Sequence, residues 1–176
     1  MDSQYIETDI IERLTHTKTL RGYFICAVDI LNAGIDILVQ TLFRQDDFAV
    51  TNVVKPLLEV SGPLYGLSVR LKLIFGLGLI SQSLYQDITK IVNVRDLLNK
   101  SDAEYSFTSP DVLFLVSQIQ SVQEIADLNS MLPKIEEEVD PIVKEMQLHR
   151  RKQIVESTLS LAIANMYDQV CRSSIK

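Results

Sequence analysis

The chain has 176 residues, a hydrophobic fraction of 47% and a net charge of −6. This length suits one domain with a substantial core, since domains span roughly 100–200 residues. The acidic balance argues against tight, autonomous DNA binding, because neutralising backbone phosphates requires a basic face. The two cysteines lack C-x-x-C spacing and the two histidines are far apart, so the usual zinc and redox motifs are excluded.

Two helices are predicted at the start of the chain, a short amphipathic one at residues 6–14 and a long one at residues 18–44. The long helix carries apolar residues at helical spacing on one side. Asp29 and Asp36 interrupt its apolar run, which argues against a membrane span. The polar, acidic start of the chain does not resemble a signal peptide. We therefore expect a cytoplasmic protein with no membrane role.

Residues 62–80 form an apolar helical stretch, and we expect it to be the centre of the core. Apolar residues occupy most of its circumference, which is typical of a buried helix. We expect Gly62 to close the preceding helix with a positive φ, and Pro63 to begin the central helix. Gly76 and Gly78 should then end it.

Arg70 is the one charged residue on the apolar side of that stretch. A guanidinium stays protonated when buried, so it needs a carboxylate or a route to water. Asp29 and Asp36 share one stripe of the long helix, and either is a candidate partner; a solvated face is the alternative interpretation of that stripe. If an ion pair forms, replacing Arg70 by methionine should be tolerated better than removing the carboxylate alone.

Three blocks of the sequence resemble the mannitol operon repressor family of bacterial proteins. They are Arg44-Gln45-Asp46-Asp47-Phe48-Ala49-Val50, Lys55-Pro56-Leu57-Leu58, and residues 61–79. The likeness extends over residues 6–164 and is strongest between residues 44 and 80. It implies a repressor-type transcriptional regulator of a carbon-metabolism operon. No residue that reads an operator can be carried over from it, because the similar residues fit a packing role.

Further helices are predicted at about residues 47–60, 83–99, 109–128 and 141–172. Asp46 or Asp47 should cap the first of them, and Pro56 should kink or break it. Asp140 and Pro141 form an N-cap and first-turn pair before a helix of about thirty residues. We expect the polar first half of that helix to extend past the body or to pack on a second subunit. The acidic run at residues 136–138 suits a solvated loop.

The densest positive cluster is His149-Arg150-Arg151-Lys152 within this last helix. Arg150, Arg151 and Lys152 are candidates for contact with nucleic acid or a protein partner. The simpler interpretation is a solvated segment that pairs with nearby carboxylates. Consecutive residues turn by about 100° around a helix, so the three do not form one flat stripe.

Enzyme motifs are absent from the sequence: it has no G-x-S-x-G, no phosphate loop and no metal-ligand spacing. We therefore expect no enzyme activity, cofactor or metal. A polar pocket around Arg70, Asp29 and Asp36 is a weaker alternative. A helix-turn-helix at residues 63–99 is disfavoured, because its first helix is too apolar to lie on a phosphate backbone.

The sequence thus predicts an all-α, single-domain bundle over residues 1–176, with about seven helices, a long C-terminal helix and no typical helix-turn-helix. The resemblance implies repression or corepression, and the acidic balance favours action through protein contacts, as a homodimer that meets other regulatory proteins. Direct DNA binding should be weak and steeply salt-dependent. The alternative is a helical interaction module without a DNA role. The operon, the effector and the surface that meets the partner are not specified by the sequence.

Overall fold

The computed structural model describes residues 3–43, 46–133 and 140–173, and the regular elements in these ranges are all helical. They are α1 (Ser3–Thr15), α2 (Leu20–Thr41), α3 (Asp47–Ala49), a π-helical turn (Val50–Val54), α4 (Lys55–Leu58), α5 (Leu67–Gly76), α6 (Gln82–Lys100), α7 (Pro110–Ser117), α8 (Gln120–Ile125), α9 (Leu128–Met131) and α10 (Pro141–Arg172). The predicted all-α class with a long C-terminal helix is confirmed.

The core is built around α2, which packs against α1, α5, α6 and α10. Its buried residues number 11 of 22, and they lie on several sides of the helix. Among the described residues, α2 is also the one helix whose length and composition suit a membrane span. Burial among four other helices accounts for that apolar composition.

The expectation that residues 62–80 form the centre of the core is wrong. Helix α5 has only 10 residues, and those buried are Arg70, Leu71 and Ile74. Leu77 is 57% exposed and Val69 is 43% exposed. The helix is apolar on most sides, but other helices cover only one of them, because α5 lies at the edge of the bundle.

The segment before α5 begins with the predicted cap and contains the predicted disturbance at Pro56. The Asp46 carboxylate accepts a hydrogen bond from the Ala49 N–H at 2.9 Å. The π-helical turn Val50–Val54 lies where the Pro56 ring would meet the carbonyl of Asn52, four residues earlier, in a regular helix. The wider turn accommodates the ring, and the helical segment ends at Leu58.

Gly62 differs from its expected role, whereas Gly76 and Gly78 lie at the end of α5 as predicted. Gly62 has no positive φ; the one positive φ among the described residues belongs to Gly78, at +72°. A side chain at Gly62 would collide with the carbonyl oxygens of Pro56 and Leu57, so close backbone approach requires glycine there. Helix α5 begins at Leu67 rather than near Pro63.

The helix expected at residues 109–128 is broken into α7, α8 and the first residue of α9. The break is made by Asp87, which is 1% exposed on α6. Its carboxylate accepts hydrogen bonds from the backbone N–H groups of Gln120 at 2.9 Å and Ser121 at 2.7 Å. A second helix start is thereby stabilised inside the predicted helix.

Helix α10 follows the sequence prediction closely. The Asp140 carboxylate accepts a hydrogen bond from the Ile142 N–H at 2.8 Å. From Val155 to Val170 its apolar side is buried against α1, α2 and α8. Its first ten residues are exposed apart from Gln147, which is half-buried.

Candidate partner-binding surface

The most exposed apolar side chains of α10 lie in its first half. Ile142 is 68% exposed and Met146 is 67% exposed, and Val143 beside them is also exposed. Ile142, Met146 and Arg150 are spaced four residues apart and therefore share one side of the helix. We call these three residues the α10 stripe. Apolar side chains grouped on an exposed helix mark a surface suited to a protein partner.

The three cations predicted as contact residues point in different directions. Arg150 is exposed and completes the α10 stripe, and Lys152 is exposed on another side of the helix. Arg151 is half-buried and donates a hydrogen bond from Nη1 to the carbonyl oxygen of Pro133 at 3.2 Å. Within residues 3–43, 46–133 and 140–173, none of the three forms an ion pair. The acidic run at residues 136–138 lies outside the described residues.

The charge of this segment is opposite to that of the rest of the chain. Residues 141–152 contain four cations and one carboxylate, a charge of +3, while the whole chain carries −6. The remaining residues therefore carry −9. A helical segment with an excess of positive charge and exposed apolar side chains is complementary to an acidic protein surface.

Arg70 lies in a polar network between α5 and α2, in which Arg70 itself is buried and Asp36 and Asn32 are half-buried. It is 8% exposed, and its Nη1 forms an ion pair with Asp36. Its Nη2 donates to Asn32 Oδ1 at 2.9 Å and to the carbonyl oxygen of Tyr65 at 3.0 Å. Burial lowers the pKa of Arg70, yet a guanidinium remains charged at neutral pH.

The other candidate partner of Arg70, Asp29, is exposed on α2 and is not among the groups that Arg70 contacts. The arrangement joins two helices through Asp36 and Asn32. It does not bring Arg70 together with both carboxylates, because Asp29 takes no part in it.

The helix-turn-helix candidate offers little to a DNA groove. Gln82 and Gln86 are exposed near the start of α6, but Asp87 turns inward to cap α8. Lys90 is held by the Asp87 carboxylate, with Nζ to Oδ1 at 3.2 Å. The first two turns of α6 therefore present two amides without an unpaired cation beside them, as far as the described residues extend.

Sequence reasoning missed a groove between the α1–α2 turn, the loop at residues 101–107 and α10. Its volume is about 530 Å³, and Lys152 and Glu156 of α10 line one side. The sequence feature that could have indicated this groove is the pair Tyr105 and Phe107, two aromatic residues that alternate with polar ones before a helix start. Their packing onto the body forms the opposite side of the groove.

Comparison with known proteins shows the family of the chain. The model of the mannitol repressor family matches residues 6–171. The mannitol operon repressor of Escherichia coli K12 is 36% identical over 168 residues, which are 96% of this chain and 84% of that protein. The X-ray structure of the Escherichia coli MtlR–HPr complex matches with a TM-score of 0.82 and 36% identity, covering 96% of this chain and 99% of that one.

A Shigella flexneri protein named Fumarase E is 33% identical over 127 residues, 72% of this chain and 75% of that protein. The match to the repressor is longer and covers larger shares of both sequences, 96% of this chain and 84% of that protein. This protein therefore belongs to the mannitol repressor family.

Proposed function

We propose that this protein is a repressor-type transcriptional regulator of a carbohydrate operon, and that it acts in the bacterial cytoplasm through contacts with other proteins. The observation that carries the proposal is its similarity, over nearly the whole chain, to an MtlR protein crystallised with HPr. We infer that HPr, or a protein similar to it, is a partner of this chain too.

The surface that we assign to this partner is the α10 stripe. Its two apolar side chains are about two-thirds exposed, and Arg150 extends the same side with a positive charge. Apolar anchors next to an arginine are typical of the residues that dominate protein interfaces. The +3 charge of residues 141–152 would raise the association rate with an acidic partner and make it salt-dependent.

Isothermal titration calorimetry with HPr from the source bacterium tests this assignment. The double variant Ile142→Ser/Met146→Ser should bind at least about ten-fold more weakly, and Arg150→Glu should weaken binding most at low salt. Phe114→Ser is the matched control, because Phe114 is 65% exposed on α7. An equal loss of HPr affinity in the control and in the stripe variant would show that the contact lies elsewhere.

Direct DNA binding is the competing route to repression. We expect weak or undetectable binding of operator fragments at low salt, because the chain carries −6 and its cations are dispersed. A gel-shift titration over a range of salt concentrations measures this. Tight binding with a steep salt slope that disappears when Arg150, Arg151 and Lys152 are neutralised would favour direct repression.

We also infer a homodimer, because large apolar side chains remain exposed, including Phe48 on α3, Val60 after α4 and Leu77 after α5. Light scattering coupled to size exclusion should give twice the 19.9 kDa chain mass. A mass of one chain at concentrations of about 100 μM would contradict this inference.

The relative named Fumarase E makes a hydratase the second candidate. We infer that this chain is not an enzyme, because the longer similarity is to repressors. The rate of fumarate hydration by the purified protein, measured as the loss of fumarate absorbance, should not exceed the rate in buffer alone. Turnover that scales with protein concentration and survives repurification would establish the enzyme instead.

A further inference from the structure

The groove beside α10 has the size and lining of a small-molecule site. Its volume of about 530 Å³ lies within the roughly 300–1,000 Å³ common for such sites. Leu20, Leu98 and Phe107 line it and are all at least nine-tenths buried, so they form an apolar base rather than a rim. Tyr105 adds a half-buried aromatic ring.

The walls of the groove are held by contacts across the fold. The Phe107 ring packs edge-on against Tyr23, with ring centres 5.0 Å apart. The Tyr23 hydroxyl in turn is hydrogen-bonded to Ser160 Oγ of α10 at 2.9 Å. Arg21 fixes the start of the loop by donating to the carbonyl oxygen of Ser101 at 2.8 Å. A groove held in place before binding loses little entropy when a ligand enters.

Charges of both signs surround the apolar base in equal number. The lining cations are Lys18, Arg21 and Lys152, and the lining carboxylates are Asp102, Glu104 and Glu156. Hydroxyl groups from Thr17, Thr19 and Ser106 complete the lining. Because the charges balance, the groove is not built for a polyanion such as a nucleotide.

A neutral molecule with many hydroxyl groups matches this lining. Each hydroxyl both donates and accepts, so it can donate to a carboxylate and accept from an ammonium group. Its C–H surface can lie on the apolar base and the aromatic rings. We propose that the groove binds a neutral polyhydroxylated molecule, a sugar or a sugar alcohol, between the 101–107 loop and the Lys152–Glu156 side of α10.

Calorimetric titration of the full chain with D-mannitol, D-glucitol and D-glucose tests the proposal. At least one should bind saturably, one molecule per chain, with a Kd of about 1 mM or tighter. 1,6-Hexanediol, with the same carbon chain and fewer hydroxyl groups, should not bind saturably. In an NMR titration, the amide signals of Ala103 and Ser106 should shift with the ligand, while those of Ile142 and Met146 stay in place.

Matched variants on α10 locate the site. Lys152→Met/Glu156→Gln should weaken binding at least about ten-fold, because two charged hydrogen-bonding groups are lost. Lys144→Met/Glu145→Gln makes the same two changes on exposed residues two turns away and should leave binding unchanged. Circular dichroism confirms that both variants fold.

Three results would overturn the proposal: no saturable binding of any of the three neutral probes, equal affinity in the two double variants, or binding of mannitol 1-phosphate alone. These titrations contain no protein partner. Their outcome is therefore independent of whether the α10 stripe binds HPr.

Discussion

Removing either partner of the ion pair between Arg70 and Asp36 should lower the free energy of unfolding by unequal amounts. Removing one partner of a fully buried pair costs about 3–5 kcal/mol, because the other charge is left without compensation. The Asp36 side chain is 35% exposed, so water can screen part of that cost. We expect Asp36→Ala to lower the free energy of unfolding by about 2 kcal/mol. The midpoint of thermal unfolding should fall by about 4–8 °C for a chain of this size.

Arg70→Met should cost about 1 kcal/mol or less, because methionine fills similar volume and leaves no buried charge. Asp36 and Asn32 are both half-buried and can meet water once the guanidinium is gone. The double variant should therefore be close to Arg70→Met alone, which reveals the coupling between the two residues. Urea unfolding, monitored by circular dichroism, gives the free energy of unfolding of Asp36→Ala, of Arg70→Met and of the double variant.

Asp29→Ala is the matched control, because it makes the same change on the exposed part of α2. It should stay within about 0.5 kcal/mol of the unaltered protein. If Arg70→Met destabilises the fold as much as Asp36→Ala does, the loss of stability does not come from leaving the Arg70 charge without its partner.

Three further predictions concern Asp87, the glycines at positions 62 and 76, and Tyr23. Asp87→Ala should cost about 2–4 kcal/mol in urea unfolding, because it leaves the buried N–H group of Ser121 and the part-buried N–H group of Gln120 without an acceptor. Gly62→Ala should destabilise by about 1–3 kcal/mol, whereas Gly76→Ala, with open space around it, should be neutral or stabilising. Burial raises the pKa of Tyr23, so the unfolded chain releases this proton first and stability should fall as pH rises above about 10. Tyr23→Phe should cost about 1 kcal/mol at neutral pH, and its stability should fall less steeply than that of the unaltered protein between about pH 9.5 and 11. An equally steep fall in both proteins would show that Tyr23 is not its cause.

Local signals in the sequence predicted the helices whose ends are set by adjacent residues. Asp46 and Asp140 cap α3 and α10 with their own side chains, two or three residues from the groups they bind. The apolar spacing of α2 likewise agrees with the residues that are buried in it. Such information is contained within a few turns of one segment, so a single sequence is sufficient to read it.

The centre of the core was misassigned because enclosure is a property of neighbouring helices. Residues 62–80 are apolar on most sides of a helix, yet α5 is short and only Arg70, Leu71 and Ile74 are buried in it. Uniform apolarity shows that a helix tolerates burial on any side. It does not show how many other helices are close enough to bury it.

The break between α7 and α8 could not be predicted for a related reason. Asp87 lies 33 residues before Gln120, whose N–H it binds, and no pattern within residues 109–128 signals its approach. Periodicity alone favoured one continuous helix. A buried carboxylate from another element supplied the second helix start, and such a contact exists only after the chain has folded.

The basic cluster shows why a run of charge in a sequence does not define a site. Arg150 and Lys152 are two positions apart, which places them about 200° apart around α10. Arg150 thus belongs with Ile142 and Met146 on the exposed stripe, whereas Lys152 belongs with Glu156 at the groove. Arg151 faces a third way and contacts the carbonyl of Pro133. Substituting all three together therefore tests only whether the cluster as a whole binds DNA, and separate substitutions are needed to assign a loss of binding to one surface.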